Sequence, residues 1–224
     1  MLELVTNSVV TRLDNVLRFN GERIIGQREN ITQHSYWVTI LSNTITEQLF
    51  GDILITGNLE QENWYLNLYR LVVKKAMLHD VDEAITGDIV FPTKHHPEFG
   101  NKLQESLFEI ILDYVEKNKS NDLVLSEYND FVLQSAAGVV GSIQYKIAQM
   151  IVKISDWMSC FKVCHEQSNL GSASFTNMKY LCIGYIGSSI DKLIDYLDKN
   201  DIYYNKKFII DFKDELVSYK LLNK

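Results

Sequence analysis

Apolar residues recur along nearly the whole chain at the 3–4 spacing that places them on one face of an α-helix. Val38, Leu41, Ile45 and Leu49 predict a helix over 34–50. The stretch 64–78 is apolar on almost every face, with Trp64, Leu66, Leu68, Leu71, Val72, Val73 and Met77, and predicts a buried central helix. A first amphipathic helix is expected over 8–19, followed by a polar loop over 20–28. Further helices are expected over 101–116, 126–136, 142–165, 178–197 and 207–221. The segments 51–63 and 167–174 read as polar or Ser/Gly-rich loops, and Pro92 and Pro97 mark an irregular stretch over 89–99. No repeat, low-complexity tract or domain boundary interrupts the pattern. The expectation is a single all-α domain over 1–224, with its chemical core at about 18–165 and closing helices over 176–221.

Composition narrows the class without changing that picture. The 224 residues are 46% hydrophobic and 23% charged, as in an ordinary globular protein. With 2 prolines and 11 glycines, long helices meet few interruptions. A net charge of -7 argues against a protein that grips long nucleic acid, which needs a basic face, though not against a small nucleotide. The 3 cysteines, Cys160, Cys164 and Cys182, show no framework spacing and suggest a reducing, cytoplasmic setting. The start, Met1-Leu2-Glu3-Leu4, carries an early acid and does not read as a signal peptide. No apolar run nears the ~20 residues that span a bilayer, so no membrane partner is expected.

The chemistry concentrates where the central helix ends, in Leu78-His79-Asp80-Val81-Asp82-Glu83-Ala84-Ile85-Thr86-Gly87-Asp88. An imidazole and a carboxylate side by side can ligate one divalent ion, and Glu83, about one helical turn on, can face the same cavity. His34 opens the second helix, and Asp156 sits among apolar neighbours in Ile154-Ser155-Asp156-Trp157, where a carboxylate needs a partner. His34, His79, Asp80 and Asp156 make a mixed nitrogen and oxygen set. It suits one divalent transition-series ion (Co, Mn, Zn, Fe or Ni) better than calcium. The plain alternative for Asp156 is an ion pair with Lys153 or Lys162, and Asp113 and Asp130 are its rivals. Asp82 reads as a solvated helix residue, and His95 and His96 as polar loop residues. Cys160, Cys164 and His165 mimic ligand spacing but read as core packing, as do Trp37, Trp64 and Trp157.

The order His34, His79-Asp80, Asp156 resembles the HD-domain phosphohydrolase superfamily. Glu29-Asn30 shortly before His34, and the run His79-Asp80-x-x-Glu83-x-x-Thr86-Gly87-Asp88 with Pro92 and Lys94 after it, look like its bacterial 5'-deoxynucleotidases. The resemblance implies a single HD-domain helical bundle and a homodimer, whose interface the apolar C-terminal helices could supply. It implies that His34, His79, Asp80 and Asp156 hold the metal and that Glu83 is the general acid/base. It further implies that Asp88 positions water or deoxyribose, that Arg18 and Phe19 sit against the sugar and phosphate, and that Lys94 contacts phosphate. The expected reaction is hydrolysis of deoxyribonucleoside 5'-monophosphates. The alternatives are a deoxynucleoside triphosphate triphosphohydrolase and a non-catalytic nucleotide-binding module.

Overall fold

The computed structural model describes residues 8–134 and 141–222. The N-terminal stretch before Ser8 and the expected helix end at Ala136 lie outside the described residues. Among the described residues the fold is all-α, as expected, without a strand. The helices are α1 (Val10–Leu13), α2 (Ile31–Phe50), α3 (Ile53–Thr56), α4 (Leu59–Leu78), α5 (Glu83–Thr86), α6 (Phe91–Lys94), α7 (Gly100–Asn118), α8 (Leu123–Tyr128), α9 (Ile143–Asn169), α10 (Ala173–Lys199) and α11 (Lys206–Leu222). A π-helical turn, Asn129–Leu133, continues α8. The chain forms two compact units: Met1–Tyr36 with Leu78–Val140, and Trp37–Met77 with Gly141–Lys224.

The first unit is built on Val9, Leu13, Ile31, Val81, Ile111, Val115, Leu125, Tyr128 and Leu133. Asp122 caps α8 by accepting from the amides of Val124 and Leu125, and its other oxygen accepts from the amide of Val9 at 2.7 Å. One carboxylate thus fixes a helix start and the entry of α1. The helix expected over 8–19 is only four residues long. Past Leu13 the chain turns to pair with the approach to α2: Ile31 N–H donates to Val16 O and Arg18 N–H to Glu29 O, both at 3.0 Å. That pairing takes the backbone groups a longer helix would have used. Phe19 then adopts a positive φ of 59°, a left-handed conformation that is uncommon for a bulky residue.

Helix α2 begins three residues before the expected start because Asn30 and Gln33 form a reciprocal cap. The Gln33 amide donates to Asn30 Oδ1 at 2.9 Å and the Asn30 amide to Gln33 Oε1 at 3.1 Å. Asn58 and Gln61 repeat the device at the start of α4, both bonds at 3.0 Å. The segment 51–63 therefore contains α3 and the first turn of α4 rather than one loop.

The second unit buries Leu49, Phe50, Leu68, Val72, Ile147, Ile151, Ile186, Ile190 and Leu193 in one cluster. Each such side chain contributes about 1.5–3 kcal/mol relative to exposure. Ser142 caps α9 by accepting from the Tyr145 amide at 3.1 Å. α9 and α10 are joined through Leu170, Gly171 and Ser172, so most of the loop expected over 167–174 is helix. Gly171 makes the turn with φ +93°, a conformation that costs glycine little. Trp64 and Trp157 pack against this core as expected. Trp37 does not: it lies on the outward face of α2, with the Lys162 ammonium 5.0 Å from its ring centre.

Candidate metal centre

The centre is assembled at two helix ends of the first unit. His34 sits on the first turn of α2, fully buried, placed there by the Asn30–Gln33 cap. His79 and Asp80 follow directly on the last residue of α4. Three ligand-type atoms converge: His79 Nε2 is 3.2 Å from His34 Nε2, and Asp80 Oδ2 is 3.3 Å from His34 Nε2 and 3.2 Å from His79 Nε2. Metal–nitrogen and metal–oxygen bonds of about 2.1 Å set neighbouring ligand atoms about 3.0 Å apart in an octahedron and about 3.4 Å in a tetrahedron. The observed triangle falls between these values, so His34, His79 and Asp80 are spaced as residues that would hold such an ion. The donor set therefore fits a divalent transition ion on one face.

The electrostatics of the next few residues diverge sharply. Burial alone would raise the Asp80 carboxyl, but the His79 charge and hydrogen bonds with His34 and His79 hold it well below the usual carboxylate range. Glu83, on the first turn of α5, is pushed up to about 8, first by burial and then by the negative charge of Asp80. The Lys94 ammonium, 3.0 Å from Glu83 Oε1, opposes that rise. Glu83 Oε2 is buried with no hydrogen-bond partner among the described residues. Asp82 is raised to about 6 by burial and by the Asp80 charge. It is not the solvated residue its position suggested. The Tyr128 hydroxyl hydrogen-bonds it, and burial with that carboxylate pushes the phenol upward.

The Thr86-Gly87-Asp88 run is a backbone device. Gly87 closes α5 at φ +73°, with its amide donating to Glu83 O at 2.8 Å, and the Thr86 hydroxyl donates to Asp82 O at 3.2 Å. Asp88 then lies close enough for its charge to raise Glu83 further. On the other side, the Arg18 guanidinium is 5.0 Å from the ring centre of Phe19 and donates to Glu29 Oε2 at 3.0 Å and to His34 Nδ1 at 2.7 Å.

The structure thus gathers Arg18, Phe19, His34, His79, Asp80, Glu83, Asp88 and Lys94 within the first unit. Asp156 belongs to the second, on α9, where it pairs with Lys153 at 2.8 Å. Glu29, Asp82 and Tyr128 are neighbours to which residue types and spacing assign no role in the centre. Glu29 carried a signal, a carboxylate just ahead of a ligand-type histidine, whereas Tyr128 is distant in sequence and carried none. His95 lies tilted against Phe91 and His96 stacks on Phe99, with ring centres 4.2 and 4.0 Å apart. Cys160 and Cys164 are buried, and Cys182 joins them, its thiol 3.5 Å from that of Cys160. His165 hydrogen-bonds Asn169 and Tyr219.

Among known proteins, the model of the YfbR-like 5'-deoxynucleotidases matches residues 7–199. The structure is similar to that of an HD-domain phosphohydrolase from Listeria innocua, with a TM-score of 0.57 and 19% identity over 85% of this chain and 83% of that one. At that identity the likeness speaks for the fold alone. No curated protein matches the chain.

Proposed function

The chain belongs to the YfbR-like 5'-deoxynucleotidase family and is a phosphohydrolase; from that premise we propose that it hydrolyses deoxyribonucleoside 5'-monophosphates to deoxynucleoside and phosphate in a metal-dependent reaction. The observation that carries the reading is the triangle of His34 Nε2, His79 Nε2 and Asp80 Oδ2 beside a buried carboxyl, Glu83, whose Oε2 has no hydrogen-bond partner among the described residues. Asp156 is the proposed fourth ligand, on the strength of the family order of ligand residues. A divalent ion held there supplies Lewis acidity, polarising a phosphoryl oxygen and lowering the pKa of water.

The remaining work falls to side chains of the chain itself. Glu83, which titrates near 8 before an ion is bound, is the group placed to carry a proton and pass it from Oε2 to the leaving 5'-oxygen. Lys94 fixes Glu83 through Oε1, leaving Oε2 for that exchange, and turns its remaining donors toward phosphate. Arg18, stacked on Phe19, offers a second cation and an apolar edge for the sugar. Asp88 positions water or deoxyribose from the turn after Gly87.

Charge favours a monophosphate over a triphosphate. Among the described residues gathered there, Arg18 and Lys94 are the two cations, and Arg18 is already paired with the Glu29 carboxylate. A triphosphate brings about four negative charges and needs cations in surplus. The decisive experiment offers dAMP and dATP separately to the protein with Mn or Co and identifies products by mass spectrometry. Phosphate and nucleoside from dAMP, with dATP intact, support the reading. Intact triphosphate released from dATP would reassign the chain as a triphosphohydrolase, and no turnover with metal bound would leave a nucleotide-binding module.

A further inference from the structure

The hydrogen bond at His34 Nδ1 is the reverse of what a metal-ligating histidine makes. A guanidinium has donors and no acceptor, so the 2.7 Å contact from Arg18 makes Nδ1 the acceptor. The neutral ring then carries its proton on Nε2, where Asp80 Oδ2 at 3.3 Å accepts it. An ion on Nε2 needs that lone pair, so the ring must carry its proton on Nδ1 and find an acceptor there. Arg18 cannot serve. Glu29 can: its Oε2 lies 3.9 Å from Nδ1, on a side chain that is nearly buried and already held by Arg18.

We propose that Glu29 is the positioning carboxylate of the centre. When Nε2 of His34 takes a divalent ion, the Nδ1 hydrogen bond passes from Arg18 to Glu29, and Arg18 is released from the ring. The inference rests on the metal-dependent reading above and concerns the order in which the centre is assembled. A carboxylate accepting from the far nitrogen fixes the ring's tautomer and raises its basicity as a ligand. Removing Arg18 from Nδ1 also returns one of its donors for an anionic phosphate. Loading the ion would therefore ready the phosphate-binding cation, so that substrate meets an armed site only after the metal is in place. The short loop pairing of Arg18 with Glu29 makes the exchange local, because both side chains hang from backbone joined at 3.0 Å.

Zinc titration by calorimetry of wild-type protein, Glu29→Ala, Glu29→Gln and Arg18→Met tests this. Glu29→Ala should bind zinc about 10- to 100-fold more weakly. Glu29→Gln should recover part of the loss, because its amide oxygen can still accept from Nδ1. Arg18→Met should bind several-fold more tightly, because it removes the competing donor. Opposite signs at two partners of one ion pair are not what a merely structural role produces. Equal affinity of Glu29→Ala and wild type, or weakening by Arg18→Met as large as that by Glu29→Ala, overturns the proposal. A wild type that binds no zinc fails differently, because it removes the metal centre itself. Histidine 1H–15N spectra of the wild-type protein need no variant: His34 should carry its proton on Nε2 in chelator and on Nδ1 with zinc. A proton already on Nδ1 in chelator overturns the exchange.

Discussion

Glu83→Gln separates proton handling from charge at the centre, and the structure sets its size. Glu83 titrates at about 8 in the folded chain against 4.5 for an unperturbed glutamate, because it is buried and faces Asp80. The folded pKa is the higher one, so the folded state holds the extra proton between those values. Stability from this group is therefore full below about pH 4.5 and is lost as pH rises through about 8. At about 1.4 kcal/mol per pH unit, the interval from 4.5 to about 8 amounts to about 5 kcal/mol. Glutamine does not ionise and abolishes that slope. The 3.0 Å contact from Lys94 is already inside that interval, because the ammonium holds Glu83 below where burial and Asp80 alone would put it. In chelator, the variant should be about 3–5 kcal/mol more stable than wild type at pH 8.5 and about as stable at pH 5. Urea denaturation followed by circular dichroism across that range reads the difference. With Mn present, the same variant should lose about 10²- to 10⁴-fold in kcat/KM on dAMP. Parallel stability curves for the two proteins would refute the buried, proton-holding Glu83, and unchanged turnover would remove it from the chemistry.

Three further outcomes follow from the same structure. Asp156→Ala should weaken Mn or Co binding at least 10-fold while Lys153→Ala leaves it near wild type, read by equilibrium dialysis and metal analysis; equal effects would reduce Asp156 to an ion-pair partner. Asn30→Ala and Asn58→Ala should each cost about 1 kcal/mol in urea denaturation, because each removes a reciprocal cap. Light scattering after gel filtration should give about twice 25.9 kDa for a homodimer, and Ile210→Asp with Val217→Asp on exposed positions of α11 should halve it if that helix supplies the interface.

The helices were legible in the sequence wherever one apolar face ran unbroken. The expectations over 101–116 and 207–221 differ from α7 and α11 by one or two residues at each end. The misses came from groups that act on the backbone rather than the core. Asn30 with Gln33 and Asn58 with Gln61 carry a start signal at their three-residue spacing, yet the first pair lies just ahead of the expected helix start and the second inside the stretch 51–63 that reads as loop. The expectation over 8–19 failed for the opposite reason. Its periodicity is adequate for a helix, but tertiary pairing of Val16 and Arg18 with Ile31 and Glu29 claims the backbone. His34, His79 and Asp80 were legible as ligand candidates from residue type and order, whereas the contact of Tyr128 with Asp82 depends on the chain returning through α8.

Asp80, Asp82 and Glu83 show why the chemistry itself could not be read from composition. Three carboxylates within four residues look like one acidic patch, and all three would be ionised at neutral pH if solvated. Burial makes three such charges together untenable, and the outcome depends on which one finds partners. Two imidazoles hold Asp80 in its charged form. Burial first, and then that charge, raise Asp82 to about 6 and Glu83 to about 8. The Asp80 charge thus helps to keep a proton on Glu83, which ties the proposed ligand to the proposed acid. An ion bound at Asp80 offsets that charge, so Glu83 should titrate lower with metal than without. On the proposed assignment of Glu83 as the acid, an ion held at Asp80 would make its proton easier to give up.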